Sequence, residues 1–234
     1  MFEITREIAI KVRDTVDAGL VKGKGVQIPG QMCVEAAVCF AMGLPHSDEP
    51  PCVSPAIRAL KIQLNDSAWS SDTARGKGMR RLALAQLGSA GVVDDHDFNR
   101  RVIEVVIRRF VPIALRAAAS VRNKQEHKDS LEQAAVRCEL EGNQEAARAA
   151  SEAASEAESW AESEAASEAE SWAASEAARA ASAASEAASW AASAASEAAR
   201  DKILAEFAEC VVQVLIEIKA PGCQWLDLVA KESE

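Results

Sequence analysis

Cys33 and His46 are the first pair in this chain whose side chains could do covalent chemistry. A thiolate attacks a carbonyl carbon readily, and a nearby imidazole can take the thiol proton. Cys33 falls in the first turn of an expected helix that follows Pro29-Gly30. There, free backbone N–H groups and the helix dipole favour the thiolate. Glu35 or Asp48 would orient the imidazole of His46. The set would suit acyl transfer by a small cysteine-dependent enzyme. Against it, no cysteine-protease motif surrounds Cys33, and its apolar neighbours point to a buried structural thiol. Cys33, Cys39, His46 and Cys52 also offer the ligand types zinc prefers, but their irregular spacing fits no finger. The sequence therefore assigns no catalytic residue, no metal and no cofactor.

The second constellation runs from Trp69 to Arg81. A helix N-terminus, hydroxyls at Ser70, Ser71 and Thr73, and the cations Arg75, Lys77, Arg80 and Arg81 fall within one short stretch. Helix N-termini attract anions, Arg forks onto phosphate, and Trp69 could stack on a base. Gly76-Lys77 is not a phosphate loop, because the G-x-x-x-x-G-K-[ST] spacing and a preceding strand are absent. Gly76 and Gly78 each cost a helix about 1 kcal/mol relative to Ala. That cost implies close packing or close approach of a ligand. The alternative is an exposed basic face turned toward the acidic half of the chain.

That half is sharply defined. Residues 1–130 hold 19 Lys and Arg against 15 Asp and Glu; residues 131–234 hold 7 against 21. Net charge thus runs from +4 to −14, for a total of −10. Overall acidity disfavours nucleic acid as a partner, since phosphate neutralisation needs clustered positive charge. The six cysteines show no C-x-x-C pair, and Cys39, Cys138 and Cys210 sit in helical apolar patterns. Reduced, buried thiols follow. No run approaches the roughly 18 apolar residues of a membrane span. The early acidic residues Glu3 and Glu7 do not resemble a secretory leader, so a cytoplasmic location is expected.

The elements that must position these residues read as helices. Tyr is absent and aromatics make up only 4% of the chain, which disfavours an all-β fold. Ile4, Ile8, Val12 and Val16 mark an amphipathic helix ending at Ala18-Gly19. Lys22-Gly23-Lys24-Gly25 and Pro29-Gly30 predict a flexible loop. Gln31 to Met42 predicts a buried central helix. Ser54-Pro55 opens another, and Ser71 or Asp72 the next. Asp94-Asp95 opens a longer one, which Pro112 should kink or end. Arg101, Arg108 and Arg116 share a second face of that helix. Asp129 to Leu140 predicts a further helix, stopped by Gly142.

Residues 143–200 differ from the rest. They comprise 27 Ala, 12 Ser, 11 Glu, three Trp, three Arg, one Asn and one Gln. Ser-Glu-Ala-Ala recurs from Ser151, Ser163, Ser175, Ser185 and Ser196 at spacings of 12, 12, 10 and 11. The irregular step makes the Trp stripe wander, which speaks against a regular coiled coil. After Asp201 the stripe Ile203, Leu204, Phe207, Val211, Leu215 and Ile218 returns. So strong an apolar face needs a partner, and residues 202–230 are expected to pack on the N-terminal helices.

The sequence thus predicts an all-α protein in three parts. Residues 1–141 form a helical domain, 142–200 a helical repeat arm or hairpin, and 201–234 a helix and tail returning to the first part. The expected function is non-enzymatic binding of an anionic ligand or acidic partner through Trp69, Arg75, Lys77, Arg80 and Arg81, or self-association. A cysteine enzyme built on Cys33 and His46 and a self-assembling structural protein are the alternatives.

Overall fold

Side-chain caps set the helix starts. Thr5 accepts from the Ile8 N–H and opens α1 (Arg6–Asp17). Cys33 accepts from the Ala36 N–H and opens α2 (Val34–Ala41). Ser54 caps α3 (Pro55–Asp66), with the proline in its first turn, where a missing N–H costs nothing. Ser71 accepts from the Ala74 N–H and opens α4 (Asp72–Ala85). These helices belong to a computed structural model that describes residues 3–120, 124–158 and 197–229. The fold is all-α; among the described residues there is no strand, only an isolated bridge between Gly25 and Met32.

The chain divides into two compact units. The first comprises residues 1–98 and 195–234, the second residues 99–194. Residues 99–141 thus cluster with the start of the repeat and not with residues 1–98. In the first unit, α4 is central. It packs against α1, α2, α9 (Glu197–Glu217) and a 3-10 turn at Pro221–Leu228. Val12 and Val16 of α1, Met79 and Leu82 of α4, and Phe207 and Leu215 of α9 are fully or almost fully buried. Burial of each such side chain contributes about 1.5–3 kcal/mol. Gly76 and Gly78 serve this packing. A Cβ at Gly76 would lie 2.6 Å from the Val16 carbonyl oxygen, so the glycine lets α4 touch the α1 backbone. A Cβ at Gly78 would lie 2.4 Å from the Trp69 ring.

In the second unit, α5 (Asp95–Val105), which begins in the first, runs into a π turn at Val106–Phe110 and on into α6 (Val111–Ser120). Pro112 does not end this run. The wider turn, with the Val111 N–H donating to the Val106 carbonyl, accommodates the ring. α7 (Gln125–Glu141) and α8 (Gln144–Glu158) complete the described part. Ile107, Leu115, Leu131, Cys138, Ala146 and Ala150 are buried together. Arg108 donates to the carbonyls of Glu139, Leu140 and Glu141, which α7 leaves unpaired at its C-terminus. Arg116 bridges Glu132 and Glu139. The expected arm or hairpin lies mostly outside the described residues.

Candidate functional site

In the basic segment, Trp69 and Arg75 are turned inward. Trp69 is buried and donates its indole N–H to the Leu64 carbonyl at 2.8 Å, its ring lying against Gly78. Arg75 is also buried. Its Nε donates to the Asn65 carbonyl and its Nη1 to the Leu20 carbonyl, both at 2.7 Å, and Nη1 reaches Asp72 at 2.6 Å. Arg80 pairs with Asp17 at 2.6 Å. Arg81 pairs with Glu209 of α9 at 2.9 Å and donates to the Val229 carbonyl. Lys77 is exposed. Trp69, Arg75, Arg80 and Arg81 therefore all bind partners within the first unit.

What Arg75 holds is a loop. Leu20 to Met32 joins α1 to α2, and its middle, residues 22–29, is exposed. The loop expected to be flexible is instead tied down at many points. Asn65 donates to the Val21 carbonyl at 2.9 Å and accepts from the Val34 N–H. Asp66 accepts from the Gly23 N–H at 2.8 Å. The Val21 N–H donates to Met32, the Val26 N–H to Gln31 and the Cys33 N–H to Lys24. His46 meets the Gly25 carbonyl through Nε2 at 3.0 Å. On this frame Val26 and Ile28 stand 50% and 52% exposed, beside Lys22 and Lys24. Neither lysine is ion-paired among the described residues.

Among the described residues, the structure does not join the side chains of Cys33 and His46 by a hydrogen bond. Sγ of Cys33 accepts from a backbone N–H of its own helix. The helix N-terminus does not win over burial. Desolvation pushes the Cys33 thiol up, with Glu35 and Asp48 adding to the rise, against the lowering by the Ala36 and Glu35 N–H groups. Burial likewise pushes Cys39 up to about 12. Sγ of Cys52 contacts Met42 Sδ at 3.4 Å. Among the described residues no group of three or more His, Cys, Asp or Glu is placed to hold a metal ion. Near neutral pH, iodoacetamide is expected to label Cys223, the one thiol that is not buried, before Cys33. Mass spectrometry of the partly labelled native protein checks this, and a fast Cys33 would favour the enzyme reading.

One polar cluster was not apparent from motifs. Glu35 of α2 and Lys61 of α3 are both 0% exposed, with Nζ and Oε1 3.5 Å apart. Burial pushes the Glu35 carboxyl up and Lys61 down, while their mutual attraction works against both shifts. Gln86, at the end of α4, is also fully buried and near enough to favour the charged carboxylate. Its amide nonetheless sits outside ordinary hydrogen-bond geometry to any protein group. The signal was present, for Lys61 stands between Leu60 and Leu64 on the buried face of α3. Glu35 likewise interrupts an otherwise apolar run.

No protein-family model, curated protein or solved structure matches the chain. Among the described residues no helix is long and apolar enough to cross a membrane.

Proposed function

We propose that this is a non-enzymatic interaction protein that recognises an acidic protein segment through the loop at residues 22–29. The observation that carries the reading is the exposure of Val26 and Ile28 on a hydrogen-bonded frame. Such a loop has already lost much of the freedom that association would otherwise remove. Lys22 and Lys24 bias it toward acidic partners, and residues 20–34 contain no acid. The basic helix becomes the mount for this surface, with Arg75 holding its root.

The occupant is the Glu-rich repeat of a second copy. Residues 143–200 carry 11 Glu against three Arg, which complements the loop. Sedimentation equilibrium of the full chain at low and high salt tests this. Self-association at low salt is expected, weakened by salt because the charges are exposed. Lys22→Glu with Lys24→Glu should weaken it about tenfold or more, and Val26→Ser with Ile28→Ser several-fold. A peptide of residues 151–170 should compete. A wild-type chain that stays monomeric at low salt and ignores the peptide would overturn the reading.

A further inference from the structure

We infer that Glu35, Lys61 and Gln86 form a buried hydration site that holds ordered water between α2, α3 and the end of α4. A carboxylate accepts through both oxygens, an ammonium donates three protons, and a carboxamide donates two and accepts. All three side chains are fully buried. Yet both Glu35 oxygens, Lys61 Nζ and both polar atoms of Gln86 have no protein partner in ordinary hydrogen-bond geometry, although the three side chains lie near enough to influence one another. The separation of 3.5 Å between Nζ and Oε1 is longer than the roughly 2.7–2.9 Å of a charge-assisted hydrogen bond.

Buried polar groups in folded proteins are nearly always satisfied, and where protein groups do not serve, water does. The chemistry here suits water specifically. A single molecule can donate to the Glu35 carboxylate while accepting from Lys61 or from the Gln86 amide. The donors and acceptors come from three separate elements, so one bridging molecule would tie α2, α3 and α4 together. The thiols of Cys33 and Cys52 feel the same charges, but neither serves as a partner for Lys61. The site does not depend on the interaction loop or on what binds there.

Oxygen-17 relaxation dispersion of the full chain tests this, because it reports long-lived water oxygen and not exchanging ammonium protons. The wild type is expected to hold at least one slowly exchanging water that a Glu35→Leu, Lys61→Met, Gln86→Leu variant lacks. Equal slow-water amplitude in the two proteins would overturn the inference. Should the triple variant not fold, the wild type decides alone. A total absence of slowly exchanging water overturns the site. A slow component accompanied by a water cross-peak at the Gln86 side-chain amide upholds it.

Discussion

Replacing Lys61 by methionine is expected to lower the unfolding free energy by about 3–5 kcal/mol near neutral pH, because it strands the buried Glu35 carboxylate without its counter-charge. Glu35→Gln should cost a similar amount by stranding the ammonium. Changing both residues to methionine should cost far less than the two single losses together, and could leave the protein more stable by about 1–4 kcal/mol. The pH dependence separates the two single variants. Burial raises the folded-state pKa of Glu35, so that group's contribution is full below its unfolded pKa and is lost as pH rises through the folded value. Lys61→Met should therefore weaken steadily from acid toward neutral pH. Burial lowers the folded-state pKa of Lys61, so its contribution is full above the unfolded value and is lost as pH falls through the folded one. Glu35→Gln should thus gain stability as pH rises. Urea denaturation across the pH range reads both slopes. Two single variants that lose under 1 kcal/mol and follow the wild-type profile would show the pair to be solvated.

Arg75→Met is the second large effect. It removes donors from the carbonyls of Leu20 and Asn65 and from Asp72. Only 5% of the residue is exposed, so water cannot easily replace it. Hydrogen bonds to a charged group are worth about 1.5–3 kcal/mol each, and their loss is not additive, so about 3–4 kcal/mol in total is expected. Arg75→Lys should recover only part of this, because an ammonium cannot reproduce the planar fork. Amide hydrogen exchange should show faster exchange at Val21 and Gly23, whose anchors depend on Asn65 and Asp66. Unchanged exchange there would break the link between α4 and the loop. A charge-removal experiment on α4 must accordingly spare Arg75. A variant that neutralises all four cations together would report unfolding and say nothing about anion binding.

The all-α architecture was legible because its signals are local. Ser54-Pro55 and Ser71 stand at helix starts, and Gly142 takes the left-handed cap after α7. The direction in which Arg75 and Trp69 point was not legible. Local sequence shows a basic helix, whereas the acceptors that turn Arg75 inward include Leu20, more than fifty residues earlier. The stiffness of the glycine-rich loop was hidden for the same reason, since Asn65 and Asp66 hold it from another helix. For Cys33 two local effects compete, and only the degree of burial decides between them. The Glu35–Lys61 pair was half legible. Each residue breaks an apolar pattern, but their pairing depends on how α2 meets α3.

The first unit is assembled from two separated stretches of chain, with α4 and α9 meeting only after everything between them has been made. During synthesis, the helices before Phe98 must therefore wait with the α4 face that will receive α9 uncovered. Surface left uncovered in this way is where aggregation of a nascent chain starts. The same topology relaxes control over the length of the intervening chain. The near-identical blocks at residues 151–162 and 163–174 fall within the stretch assigned to the second unit, so a change in their number alters none of the residues that build the first.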